Sequence, residues 1–340
     1  MRDFRCPTCG QQLAFENSLC LRCGSSLGFD PDRVEFVILD AFEAEVDGRG
    51  RACVNRGPAA CNWLTDAARP LCRSCALTRT RPAETDLAAL PLFAEAEAAK
   101  RRLVLELAEL GLPIDGRDVD PATGLCFDLL SSESEQVMTG HADGVITLDL
   151  SEGDDVHREW LRVSMDEPYR TLLGHFRHEI GHYYFSVLVG KGPDRSAFEE
   201  LFGDPDADYQ AALDRHYSSG TPAGWEDRYV SSYATMHPAE DWAETFAHYL
   251  HIRDTIDTAA AFAFAPADAT LDRPLSGERG IDRMIELWLP LSWSLNMINR
   301  SMGRPDLYPF VLPPAVLDKV RLVHKLVAES YAPIEINAAV

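Results

Sequence analysis

His178, Glu179 and His182 fall in the run His178-Glu-Ile-Gly-His182, the pattern H-E-x-x-H, within a stretch whose residues predict a single helix. Imidazoles four residues apart lie on one helical face and can bind the same Zn²⁺. The intervening glutamate can then take a proton from a water that the metal activates. The chemistry implied is metal-assisted hydrolysis, most simply of a peptide bond. Chance would produce the pattern about 0.02 times in a chain of this length and composition.

Two imidazoles do not complete a catalytic centre; a third protein ligand is needed, with the fourth position left open. The continuation H-E-x-x-H-x-x-G-x-x-H is absent, since Phe185 and Leu188 stand at the required Gly and His positions. A carboxylate from a second helix is the common alternative. The run from His237 to Leu250 supplies one, with Pro238 suited to a first helical turn. Glu240 and Glu244 are one turn apart on one face. Glu240 would bind the metal, and Glu244 would accept the ring N–H of a ligand histidine and fix its tautomer. Glu200 is the rival, but Gly203 and Pro205 break the helix that role requires. His237 and Asp241 remain as further alternatives. For the oxyanion of an acyl-transfer step, Tyr233 is the candidate donor, with Tyr229 and His237 as alternatives. His175 shares the metal-facing sector but would crowd the open position, so it reads as a supporting or substrate-side group. His248 and His251 read as surface or supporting residues.

Eight of the nine cysteines precede residue 76. Cys6-Pro-Thr-Cys9-Gly and Cys20-Leu-Arg-Cys23-Gly are two knuckles whose tight turns aim paired sulfurs at one point, with glycine accommodating a positive φ. Together they form a Cys₄ structural zinc site. Cys53, Cys61, Cys72 and Cys75 form a second Cys₄ set with one tight knuckle, and ligands interleaved between the sets remain an alternative. The start of the chain carries no apolar h-region, so clustered cysteines read as metal ligands rather than disulfides, in a reducing cytoplasm. Cys126 stands alone and reads as a small buried apolar residue.

These groups must be positioned by the surrounding elements. The chain has 340 residues, 46% hydrophobic and 25% charged, the profile of a globular protein. Its net charge of −22 argues against nonspecific binding to nucleic acid or to an anionic membrane. The apolar stretch 284–298 is interrupted by Glu286, Pro290 and Asn296, and reads as a buried helix, with Trp288 and Trp293 in the core. A helix is predicted from Asp86 to Leu110, ended by Gly111 and Pro113. Strands follow between Phe127 and Leu150. The last, Val145 to Leu150, is expected to be an edge strand able to pair with an extended substrate; the acidic run 152–155 reads most simply as a solvated loop, with a preference for basic substrates through Asp154 and Asp155 as the alternative. The H-E-x-x-H helix is expected to start near Asp166 to Pro168 and stop near Gly190. His175, His178, Glu179 and His182 share one sector, and Leu173, Phe176, Ile180, Tyr184 and Val187 pack the other side. Residues 259–269 read as a loop.

The run from Glu240 to Leu250 resembles the second metal-binding helix of gluzincin-type peptidases and of the small bacterial peptidases that cleave phage repressors. Glu244 stands where the latter have Asn. More widely, the chain resembles a bacterial family of zinc-binding metallopeptidases with an amino-terminal zinc ribbon. The eight-Cys region, the run Thr139–Thr147, the run Glu167–Tyr184 and the run His237–His251 carry that resemblance. It implies His178, His182 and Glu240 as ligands and Glu179 as the catalytic residue, and it implies no substrate.

The expected class is α+β. A small Cys-rich zinc-ribbon module over 1–80 precedes a mostly helical zincin-like metallopeptidase domain over 84–340 with a short antiparallel sheet. One catalytic and one or two structural Zn²⁺ are expected. The favoured function is a cytoplasmic zinc peptidase acting on a peptide or protein, with the ribbon as a candidate surface for a protein partner. The alternatives are an inactive metal-binding adaptor and a zinc-ribbon nucleic-acid binder. An intact Glu179 counts against the first, and the acidic charge against the second.

Overall fold

The computed structural model describes residues 1–39, 45–46, 50–66, 68–132, 137–154, 171–190, 192–266, 269 and 278–330. Asp155, the expected helix start at 166–168 and residues 167–170 of the run Glu167–Tyr184 lie outside the described residues. The chain forms two compact units. One takes Met1–Leu105 and Ile114–Asp166; the other takes Glu106–Pro113 and Glu167–Val340. The class is α+β: a Cys-rich amino-terminal region with small sheets, then a mostly helical region.

In the first unit, the eight clustered cysteines lie outside the short strands that flank them. β1 (Phe4–Arg5) and β2 (Gln12–Leu13) form a hairpin around the first knuckle. β3 (Leu27–Asp30) pairs antiparallel with β4 (Glu35–Ile38). β5 (Glu45–Val46), β6 (Gly50–Ala52) and β7 (Leu64–Thr65) make a third small sheet. Gly10 and Gly24, which follow the two knuckles, have φ of 70° and 74°, the left-handed turn that glycine adopts without steric cost. Phe4, Phe15, Phe29, Phe36 and Trp63 pack edge-on between these pieces. Metal ligation at the cysteines would add stability to strands this short.

α1 (Arg73–Ala76) bears Cys75 and leads into β8 (Thr78–Thr80). α2 (Ala89–Glu109) buries Leu103 and Leu107 completely and ends at Gly111, whose φ is 67°. A four-stranded sheet runs β10 (Gly140–Ala142), β11 (Val145–Asp149), β9 (Cys126–Leu130), β8. It is mixed rather than antiparallel: β9 runs parallel to β11 and to β8, and only the β10–β11 hairpin is antiparallel. That hairpin turns on Asp143 and Gly144, both at positive φ, as a two-residue Asp-Gly turn requires. β11 is therefore not the expected edge strand. Its backbone is paired on both sides, and β10 takes the edge. Cys126 is buried in β9.

The second unit is helical. α3 (Leu172–Tyr184) carries the H-E-x-x-H residues and is capped by Thr171, whose side chain accepts from Gly174 N. Phe185–Val189 continue it as a π-turn that ends at Gly190. Phe176, Ile180 and Tyr184 are buried as expected, but Val187 is exposed, because the wider π-turn rotates it off the packed face. α4 (Arg195–Phe202) and α5 (Tyr209–Ser219) lead to α6 (Pro238–Ala261), which runs through the first residues of the expected loop. α7 (Glu278–Ser301) and α8 (Pro314–Glu329) complete the bundle. α7 is amphipathic rather than buried all round. Trp288 is buried, but Trp293 is exposed, because five residues turn the helix by about 140°.

The closest packing in this unit is α3 against α6. A Cβ on Gly181 would fall 2.9 Å from Ala243 Cα, so the two backbones meet where both side chains are minimal. Trp242 Nε1 donates to Gly181 O at 2.9 Å across the same junction. A buried ion pair, Lys319 Nζ to Asp241 Oδ2 at 2.6 Å, ties α8 to α6. No helix among the described residues is long and apolar enough to cross a membrane.

Candidate metal centre

The α3–α6 junction brings His178 and His182 from one helix against Glu240 from the other. Their donor atoms lie within 4.8 Å of one another. His178 Nε2 is 3.2 Å from His182 Nε2 and 3.0 Å from Glu240 Oε2, and His182 Nε2 is 3.4 Å from that oxygen. Nitrogen and oxygen donors about 2.05 Å from a tetrahedral zinc are about 3.3 Å apart, so the triangle fits that ion. Two imidazole nitrogens and a carboxylate oxygen are also the donor set of a catalytic zinc centre, which leaves the fourth position to water or substrate. The Glu240 side chain is 3% exposed, while that of His182 is 18% exposed, so access is from the His182 side.

Glu244, one turn along α6, lies with Oε1 2.7 Å from His178 Nδ1. That contact assigns the Nδ1 proton to the Glu244 side and directs the Nε2 lone pair into the triangle. Burial disfavours the His178 cation. The Glu240 and Glu244 carboxylates outweigh it and raise the pKa well above the usual value. Burial likewise opposes ionisation of Glu240 and Glu244, yet their histidine partners hold both carboxyls well below the usual range. A metal at Nε2 would take the place of the second imidazole proton, so its uptake releases a proton. Glu179 is buried on the same helix, between the two histidines in sequence. Tyr233 packs its ring 6.0 Å from that of His178. Burial, followed by the Glu240 charge, keeps its phenol protonated well above the ordinary range.

The alternatives for the third ligand are engaged elsewhere. Glu200 is exposed on α4, which stops at Phe202 before Gly203. Asp241 is held by Lys319. His237 commits both ring nitrogens: Nδ1 accepts from Ala239 N at 3.1 Å, and Nε2 lies 3.0 Å from Ala207 O. It is thereby excluded as an oxyanion donor as well. Tyr229 stacks on the Lys319 ammonium, 4.3 Å from the ring centre. His248 is buried rather than on the surface, with Nδ1 2.8 Å from Tyr308 Oη. His251 packs its ring against Trp288 and Tyr308.

Tyr209 has no counterpart in the sequence reading. Its hydroxyl donates to Glu240 Oε1 at 3.0 Å from 31 residues away. Nothing in its neighbourhood marks it beyond an Asp cap at 208. Gly181 is the other residue overlooked, although a glycine inside H-E-x-x-H is itself a sign of close helix packing.

Cys6, Cys9, Cys20 and Cys23 form one cluster, and Cys53, Cys61, Cys72 and Cys75 another, with no interleaving. Sulfur separations of 3.7 Å for Cys6–Cys23, 3.6 Å for Cys9–Cys20 and 3.7 Å for Cys61–Cys72 match the edge of about 3.8 Å that a 2.3 Å zinc–sulfur bond gives. They are far from a disulfide bond of about 2.05 Å. The second cluster is fully buried. Beside it, Cys75 Sγ is 3.7 Å from Glu97 Oε2, and Lys100 Nζ is 2.6 Å from Glu97 Oε1, so the cluster adjoins a buried ion pair.

Comparison with known proteins agrees with these features. Residues 89–326 match the family described as "Putative zinc-binding metallo-peptidase", and residues 3–86 match a zinc-ribbon domain. Uncharacterized proteins of Mycobacterium bovis and of two strains of Mycobacterium tuberculosis are 64% identical over 332 residues, 97% of this chain and 96% of theirs. No solved structure matches. With its helical region covered by the first match and its eight clustered cysteines by the second, the chain belongs to this zinc-binding metallo-peptidase family and carries a zinc ribbon at its amino-terminal end.

Proposed function

We propose that the protein is a zinc-dependent peptidase, with His178, His182 and Glu240 as metal ligands and Glu179 as general base. The observation that carries this reading is the near-tetrahedral triangle of two imidazole nitrogens and one carboxylate oxygen, with an acid between the two histidines on the same helix. Zinc, when bound there, supplies a Lewis acid that polarises a carbonyl and acidifies water. Glu179 removes a proton from the attacking water, the peptide C–N bond breaks, and Glu179 returns that proton to the departing amine. Tyr233 stays a neutral phenol and donates to the oxyanion that forms at the carbonyl. Glu244 holds the His178 ring so that Nε2 faces the metal.

The ribbon cysteines bind two structural zinc ions in this reading, giving three per chain. The division into a ribbon over 1–80 and a peptidase domain over 84–340 draws support from the two family matches, at 3–86 and 89–326. The substrate is a peptide or protein, the location is the cytoplasm, and a protein partner would meet the ribbon.

Incubating purified protein with an unstructured protein substrate, with fragments read by mass spectrometry, tests this directly. Cleavage should stop with 1,10-phenanthroline and fall at least about 100-fold in Glu179→Gln, which keeps its zinc. Wild-type cleavage by a zinc-loaded Glu179→Gln protein would overturn the mechanism.

A further inference from the structure

We propose that Tyr209 is a positioning residue that divides the two oxygens of Glu240 between a hydrogen bond and the metal. The inference rests on the reading that His178, His182 and Glu240 hold a metal ion. Glu240 Oε2 faces both imidazoles, at 3.0 and 3.4 Å. Glu240 Oε1 points the other way and accepts from Tyr209 Oη at 3.0 Å. A carboxylate oxygen held by a phenol is withdrawn from the ion, so Glu240 binds through one oxygen and the fourth position stays open to water and substrate. Without the phenol, Oε1 is free to swing toward the ion as a further donor and crowd that position.

The tyrosine is itself held in place. It opens α5, and the Asp208 side chain caps that helix by accepting from Ala211 N at 2.9 Å. Two residues before Tyr209, Ala207 O accepts from His237 Nε2 at 3.0 Å, and the His237 ring lies 5.2 Å from the Tyr209 ring. His237 caps α6, one turn before Glu240. The starts of α5 and α6 are thus joined at two points, and the phenol reaches Glu240 from a fixed base. Groups that orient metal ligands from outside the coordination shell typically control metal affinity about 10–100-fold.

The test uses full-length protein with both Cys₄ sites zinc-loaded and the third metal removed by a mild chelator. Cobalt(II) is then added, and spectra are read as differences from Glu240→Ala, which cancels any cobalt at the cysteines. Tyr209→Phe keeps the ring on His237 and removes only the hydroxyl. Its zinc affinity at the third site should fall about 10–100-fold, and its cobalt d–d bands should weaken as a fifth donor enters. Two zinc ions retained at the cysteines report that the fold is intact. Zinc affinity within twofold of wild type together with an unchanged cobalt spectrum would overturn the proposal. A wild-type protein that takes up no third metal would overturn the reading beneath it instead.

Discussion

Replacing Gly181 by alanine tests the α3–α6 junction through the sign of its effect. In an unobstructed helix interior the change stabilises by about 0.5–1 kcal/mol, because glycine has more backbone freedom to lose. At position 181 the new Cβ would lie 2.9 Å from Ala243 Cα, 3.1 Å from Ala243 O and 3.3 Å from Phe246 Cβ. Two of those atoms are backbone, which no rotamer change can move. Carbon atoms sit comfortably at roughly 3.5–4.0 Å, so α6 must retreat by roughly 0.6–1 Å. Overpacking of this kind costs about 1–3 kcal/mol. In a unit of this size that lowers Tm by roughly 2–12 °C. The displacement also acts on the metal triangle, since Glu240 lies one turn before Ala243. Its gaps of 3.0 and 3.4 Å to the imidazoles would open, toward about 4 Å, too wide for one tetrahedral zinc. Zinc affinity at this site should fall at least about tenfold, or ~1.4 kcal/mol. Thermal melting by circular dichroism and competition against a chromophoric chelator read the two effects. A Gly181→Ala protein that melts higher than wild type and binds zinc equally well would refute the close-packing argument.

Three further outcomes follow from particular contacts. Glu244→Ala removes the acceptor from His178 Nδ1 and should weaken zinc at the third site about 10–100-fold, with the cysteine-bound zinc unchanged by elemental analysis. Lys319→Met leaves Asp241 buried without its cation, and should cost about 3–5 kcal/mol in urea denaturation. The pair Lys319→Met with Asp241→Asn should recover much of that loss, and a double variant as unstable as the single one would show that the ion pair is not the cause. Burial lowers the His248 pKa from 6.5 to about 4. The unfolded chain therefore takes up this proton first, so the stability His248 contributes is fully present above pH 6.5 and is lost as pH falls toward 4. Denaturation midpoints across that window should slope less in His248→Gln, and an NMR titration showing the His248 ring charged at pH 6 would contradict the argument.

Some features were legible because the chemistry is local. H-E-x-x-H needs only the helical repeat to place two imidazoles on one face, and C-x-x-C-G needs only one tight turn with a glycine at positive φ. Glu240 and Glu244 were legible from the same repeat, once Pro238 marked a helix start. The errors arose where neighbours decide. Val145–Asp149 has the alternation of an exposed strand, yet β9 comes to lie beside it in parallel. The same apolar alternation fits an edge or an interior strand, because sequence does not encode which backbone groups find partners. Trp293 sits in an apolar stretch, but burial depends on which side of α7 meets other helices.

The residues fixed by sequence alone are therefore those whose partners lie within one or two turns of the chain: the histidine pair with its glutamate, the cysteine knuckles, and the two acids of α6. Tertiary structure alone decided which acid meets the imidazoles, that the eight cysteines separate into two sets, and that Tyr209 holds the far oxygen of Glu240. The physical reason is distance along the chain. The acid 58 residues from His182 is brought to the imidazoles by helix packing at Gly181 and Ala243, and that packing depends on contacts no local pattern records.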